Sequence, residues 1–272
     1  MSDVSGIDRI AGAFSASGKR AALMPYLMGG FPDIATSLAI GEAYADGGAD
    51  LVELGVPFSD PLADGPVIHA AGVEALRNGA TVDQILELGS SLAPRLPVVL
   101  MCYANIVYAR GFEAFTAALR AHAISGLIVP DLPLEEAPEL RVACDEQGIA
   151  LVPLVAPTTP PERLVRISEL ARGFLYAVSL VGTTGERGSL DAGLADFLER
   201  AAAASEVPVA VGFGIGTPEQ AAAAVDAGAA GVIVGSRLVR AAGEAADPAA
   251  AVREIVAGMA DALRAPSADP VR

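Results

Sequence analysis

The chain has 272 residues, 53% hydrophobic and 5% aromatic, with 29 glycines and 19 prolines. This composition forms a core and excludes disorder for the bulk of the chain, and the length suits a single α/β barrel. With 18 basic against 33 acidic residues and a formal charge of −15, a surface for nucleic acid or anionic membrane is excluded, so any bound phosphate must be held locally by backbone N–H groups or a helix start.

The first residues, MSDVSGIDRI, lack a basic stretch leading into an apolar core, so no signal peptide is expected. A helix is expected near 5–17, then a strand at AALMPYL (21–27) and a helix over about 33–46. EAYADGGADLVELG (42–55) sets a phrase: an Ala-rich helix, a Gly turn, a β-branched run. Helical stretches follow at about 65–92, 105–122, 134–147, 160–171, 190–204, 217–227 and 236–263. Between them lie PVVLMCY (97–103), GLIVP (126–130), IALVPLV (149–155), GFLYAV (173–178), PVAVGF (208–213) and the repeat of the phrase in AAVDAGAAGVIVGS (223–236).

Eight βα units of about 34 residues predict an α/β fold, a (β/α)8 TIM barrel with an extra N-terminal helix and phosphate-binding loops after strands 7 and 8. The competing open doubly wound sheet commonly carries GxGxxG after its first strand, and none stands there. No linker splits the chain, so residues 1–264 are expected to form one barrel domain and APSADPVR (265–272) a disordered tail. The most apolar window, Ala221 to Val239, is broken by Asp226 and several glycines, so no membrane span is expected. Cys102 and Cys144 fit buried thiols of a cytoplasmic protein.

Chemistry in such a barrel sits on the loops that follow the strands. In DLVELG (50–55), alternation puts Val52 and Leu54 on one face and Leu51 and Glu53 on the other. The apolar pair suits the helix layer, so Glu53 points into the barrel, where lost hydration raises its pKa toward proton-transfer range. The next loop, VPFSDPLADGP, holds Asp60 and Asp64 between stiffening prolines. Asp64 alone fits a turn or helix cap; beside an inward Glu it reads as half of an acid/base centre. After strands 7 and 8 come GFGI (212–215) and VGS (234–236). Gly214 and Gly235 let a backbone approach an anion, and Ser236 donates from a helix start.

The segment ELGVPFSDPLADGP (53–66) closely resembles the second strand and loop of the tryptophan synthase alpha chain family. PYLMGGFPD (25–33), YANIVY (103–108), PDLPLEE (130–136), APTTP (156–160), GFGI and VGS extend the likeness over about Ile7 to Ala262. The resemblance implies cleavage of indole-3-glycerol phosphate to indole and glyceraldehyde 3-phosphate. It also implies a beta-chain partner in an α2β2 heterotetramer, with pyridoxal phosphate in that partner and no cofactor in this chain. It implies an interface at the second loop and around Asn105. By resemblance Tyr26, Tyr176, Phe213 and Ile233 line the indole pocket. Gly185 joins the phosphate corner, and Thr184 in the glycine-rich loop SLVGTTGERG (179–188) helps close the site. Thr183 stands where relatives commonly have Val, and GGFPD departs from the commoner G-D-P after the first strand.

Such a retro-aldol cleavage needs an electron sink. A Schiff base would need Lys19, the only lysine, which precedes the first strand at the wrong end of the barrel and reads as exposed. Two unrelated histidines, His69 and His122, make a poor metal site, although carboxylates alone remain open. The remaining sink is the indole ring itself, once C3 is protonated. Glu53 then delivers that proton and takes one from the glycerol hydroxyl, while Asp64 accepts the indole N–H and balances the cationic ring. Two other readings compete. A different sugar-phosphate barrel would share the phosphate loops but not ELGVPFSDPLADGP, and a non-catalytic activator of a beta partner would not need both carboxylates.

Overall fold

The computed structural model describes residues 4–178, 192–212 and 214–264. Its strands are β1 (Ala22–Met28), β2 (Val52–Gly55), β3 (Val98–Met101), β4 (Gly126–Ile128), a two-part β5 (Ala150–Leu151 and Leu154–Val155), β6 (Leu175–Val178), β7 (Val209–Gly212) and β8 (Gly231–Val234). Every pairing is parallel, and β1 pairs with both β2 and β8. On the far side, the first half of β5 pairs with β4 and the second with β6. Pro153 has no N–H for a ladder, yet the Val152 N–H donates to Leu127 O (2.9 Å) and Pro153 O accepts from the Tyr176 N–H (3.1 Å). The ring therefore continues through the break, and the fold is the expected (β/α)8 barrel.

The helices are α1 (Gly6–Ser15), α2 (Ile34–Asp46), α3 (Pro66–Arg77), α4 (Val82–Leu92), α5 (Ala104–Arg110), α6 (Phe112–Ala121), α7 (Ala137–Gln147), α8 (Pro161–Leu170), α9 (Ala192–Ala204), α10 (Pro218–Asp226), α11 (Ser236–Glu244) and α12 (Pro248–Ala262). Three expected long helices are each two. The stretch 65–92 breaks where Gly79 takes φ 84° and Thr81 opens α4 with a capping box to Gln84. The stretch 105–122 breaks at Gly111, φ 80°. The stretch 236–263 breaks where Asp247 caps α12 and Pro248 takes its first position, because proline is tolerated there and not in a helix interior. The expected tail, 265–272, lies outside the described residues.

Alternation along the strands sorts side chains into two layers. Val52, Leu54, Val98, Leu100, Val209 and Val232 pack outward with helical residues such as Tyr44, Ile85 and Val256. Met24, Leu51, Val99, Ile128, Phe174, Tyr176 and Ile233 pack inward. The N-terminal helix α1 plugs the floor of the barrel with Ile10, which is fully buried, flanked by Ile7 and Phe14. Gly126 and Gly231 make room for it: a Cβ on Gly126 would lie 3.0 Å from Ile10, and one on Gly231 2.9 Å from Phe14.

Lys19 sits at that floor, but it is not exposed. Its Nζ donates to Asp50 (2.8 Å) and to Gly48 O (3.0 Å), and both side chains of the pair are over nine-tenths buried. The other Asp50 oxygen accepts from the Leu23 N–H at 2.7 Å, so the pair pins β1 to the turn before β2. The expectation of a neutral surface position is corrected accordingly. Lys19→Arg should lower stability by roughly 1–3 kcal/mol through overpacking, read by denaturant unfolding. Its activity per folded molecule should stay unchanged, because the site lies at the opposite end of the strands.

Candidate active site

Glu53 occupies the middle of β2, paired in register with Tyr26 of β1 and Val99 of β3. Because Val99 belongs to the inward layer, Glu53 shares that face, as alternation predicted. It is 1% exposed, and no described residue hydrogen-bonds its Oε2. A buried carboxyl without partners is stable only when neutral. Burial first, and the negative field of Asp64 second, push its pKa up to about 8.

Asp64 lies in the loop between β2 and α3, half-buried. Burial raises its pKa as well, opposed by a hydrogen bond from Tyr103 and by the attraction of His69 on α3. Asp60, the other acid of that loop, is exposed and accepts from Ser59 (2.5 Å), a local turn contact away from Glu53.

Two tyrosines complete the wall. Tyr26 and Tyr176 are 4% and 6% exposed, and their hydroxyls stay protonated to very high pH through burial and the carboxylates beside them. Each hydroxyl rests against the neighbouring strand where only a glycine leaves space. A Cβ on Gly55 would lie 2.0 Å from the Tyr26 Oη, and one on Gly212 would lie 2.4 Å from the Tyr176 Oη. Ile233 of β8 is 3% exposed and faces the same interior as Tyr176.

The expected anion corner falls at the ends of β7 and β8, and β1 separates β8 from β2. Gly214 follows β7 and Gly235 follows β8, and these strands are neighbours. Gly214 takes φ 78°, a conformation that favours glycine. Gly235 is the N-cap of α11, and Ser236 is its first residue. The N–H groups of a first helical turn have no partners within the helix, so this end carries partial positive charge. Thr184, Gly185 and Phe213 lie outside the described residues, as does Thr183. A surface groove of about 730 Å³ between α10, α11 and α12 is lined by Thr217, Arg237 and Ile255 among others; it lies outside the barrel and holds neither carboxylate.

One residue of this face escaped the sequence reading as a site residue. Tyr103, at the junction of β3 and α5, is 2% exposed and reaches the loop that carries Asp64. Nothing in YANIVY separates it from the core tyrosines; its partner lies 40 residues away.

Among the described residues no group of three or more His, Cys, Asp or Glu side chains is placed to hold a metal ion, and no helix is long and apolar enough to cross a membrane.

The family model described as tryptophan synthase alpha chain matches residues 14–265. A tryptophan synthase alpha chain of Gloeobacter violaceus is 46% identical over 88% of each chain. One from Synechococcus sp. strain CC9902 is 48% identical over 81% of this chain and 83% of its own. Among solved structures, a chain of Mycobacterium tuberculosis tryptophan synthase superposes with TM-score 0.88 at 37% identity, covering 97% of this chain and all of that one. A chain of the α2β2 complex of Pyrococcus furiosus gives 0.84 at 38% identity, covering 89% and 98%.

Proposed function

The chain belongs to the tryptophan synthase alpha chain family, and from that premise we propose that Glu53 and Asp64 carry the family's reaction here. That reaction is the cleavage of indole-3-glycerol phosphate to indole and glyceraldehyde 3-phosphate, with indole passed to the beta chain of the α2β2 assembly. The alpha chain uses no cofactor of its own; pyridoxal phosphate belongs to the beta chain. The observation that carries the proposal is the Glu53 carboxyl: buried, without a partner on Oε2, and held neutral near physiological pH beside a second, half-buried carboxyl.

The chemistry follows from that asymmetry. With its pKa near 8, Glu53 is mostly protonated at neutral pH and has a proton to give. Transfer to indole C3 leaves a cationic ring that draws the electrons of the breaking carbon–carbon bond. The new Glu53 carboxylate then takes the proton of the glycerol hydroxyl as the aldehyde forms, so the acid returns to its starting state. Asp64, helped toward ionisation by Tyr103 and His69, accepts the indole N–H and opposes the ring's positive charge. Tyr26, Tyr176, Ile233 and Phe213 give the ring apolar walls. Gly214, Gly235 and Ser236, with Gly185, bind the phosphate at the start of α11, and Thr184 helps close the site. Loop residue Leu62, 84% exposed, and Tyr108, three residues after Asn105 and 48% exposed, suit a beta-chain interface beside the site. We place the enzyme in the cytoplasm, consistent with two free, buried cysteines.

The test is indole formation from indole-3-glycerol phosphate by the purified chain and by its complex with a beta chain. Indole release supports the reading, and none in either form would overturn it. For the corner, Gly235→Val should weaken competition by glycerol phosphate at least ~10-fold. Among the described residues, a Cβ at that position meets Tyr26 (3.7 Å) and Ile68 (3.9 Å) at ordinary contact distances, so the fold should survive and the obstruction fall on the anion. Unchanged inhibition would place the anion elsewhere.

A further inference from the structure

The loop that carries Asp64 is thinly held. Ser59, Asp60, Leu62 and Ala63 are exposed, and the Ser59–Asp60 hydrogen bond is internal to the loop. Prolines 57 and 61 restrict the chain but offer no N–H for tethering. Among the described residues, the one backbone hydrogen bond from residues 57–64 to another element is the Ala63 N–H to the Tyr103 hydroxyl, at 3.1 Å. The same hydroxyl favours the charged form of the next residue along, Asp64. The ring of Phe58, at the start of the loop, stacks on the Tyr103 ring with centroids 5.1 Å apart and planes 23° apart. One side chain thus grips the loop at both ends.

Tyr103 is itself fixed. It is the N-cap residue of α5, and the next N–H, that of Ala104, donates to Asp131 Oδ1 at 2.8 Å. Asp131 follows β4, so three loops on the catalytic face are joined in series: β4 to α5 through Asp131, and α5 to the Asp64 loop through Tyr103. From this geometry we infer that Tyr103 is a positioning residue of the reaction, holding the Asp64 carboxylate in place through one hydroxyl that accepts from the Ala63 N–H of the same loop.

The inference rests on the role given to Asp64 above. Among the described residues, the groups that interact with that carboxylate are Glu53 from β2, Tyr26 from β1, His69 from α3 and Tyr103 from the β3–α5 junction, with Asp131 acting on Tyr103. Among these described groups, Tyr103 also holds the loop through the Ala63 N–H, whereas His69 acts through charge and lies exposed to solvent and salt.

Tyr103→Phe tests it, because the ring and its stack on Phe58 survive while the hydroxyl is lost. The expected result is a fall in kcat of about 10-fold or more with an unchanged Tm, and an acid limb of the kcat profile moved to higher pH, since Asp64 loses a neighbouring hydroxyl that favours its charged form. Phe58→Leu is the control: it removes the stack and keeps the hydroxyl, so the acid limb should stay where it is in the unaltered enzyme. Wild-type kcat and an unmoved limb in Tyr103→Phe would overturn the inference. So would a limb that moves equally in both variants, which would mark general loosening of the loop. If Asp64→Asn is itself fully active, the role of Asp64 fails first; if that variant is crippled while Tyr103→Phe is normal, only the inference about Tyr103 fails.

Discussion

Glu53→Gln should lose at least ~100-fold in the rate of indole formation, with substrate binding largely retained. The amide has the size of the carboxyl and sits in the same buried place on β2, so the pocket keeps its shape. What it lacks is an acidic proton to give to indole C3 and, after that, a carboxylate to take the one from the glycerol hydroxyl. Near-normal turnover in this variant would sink the assignment. The same residue sets two pH dependences. Free enzyme is active with Glu53 protonated, so kcat/KM should fall as pH rises through about 8. Stability should fall over a related range. The folded pKa lies above the unfolded value, so the native state holds a proton that the unfolded chain releases. The resulting stability is complete below about pH 4.5 and is lost as pH rises to about 8. The slope approaches about 1.4 kcal/mol per pH unit for one proton. Gln cannot titrate, so Glu53→Gln should gain on the unaltered protein by that slope between pH 5 and 8. Urea unfolding at three pH values measures it, and a constant difference would mean that Glu53 is not held neutral.

The position of Glu53 was legible because alternation along a strand is strict. Once Val52 and Leu54 were assigned to the helix layer, Glu53 had no other direction to take, and Val99 and Tyr26 beside it share its face. What was legible at the proposed phosphate corner is its place in the fold: Gly214 and Gly235 follow neighbouring strands, and Gly235 leads directly into a helix. Breaks inside long apolar stretches were harder to see. The 65–92 stretch is apolar on both sides of Asn78-Gly79, and its division rests on a positive φ at one residue and a capping box three positions wide. Lys19 was misread because an isolated lysine near a chain start looks like a surface residue; its burial depends on Asp50, which arrives only when β1 and β2 pair. Tyr103 belongs to the same class. Its function lies in contacts with Phe58 and Ala63, and these exist only after two loops from different βα units meet at the barrel mouth.

Asp64→Asn should be nearly as damaging as the loss of Glu53, and for a different reason. Asparagine matches aspartate in size and its carbonyl still accepts an N–H bond from the indole, so ground-state binding should change little. The charge is what disappears. In a half-buried site, an anion facing a ring that turns cationic in the transition state contributes roughly 3–4 kcal/mol, or about 10²–10³-fold in kcat. A rise in KM alone would make Asp64 a group that orients substrate. A second readout separates these cases through Glu53. The negative field of Asp64 is one of the two causes that hold the Glu53 pKa up, after burial. Removing that charge should lower the Glu53 pKa, so the alkaline limb of the residual activity moves to lower pH and the stability loss between pH 5 and 8 becomes smaller. A positioning residue that is neutral in the working enzyme would leave both unchanged. Crippled kcat together with a shifted limb therefore identifies Asp64 as the charged partner of a neutral Glu53, two carboxyl groups whose burial and neighbours divide acid from counter-ion.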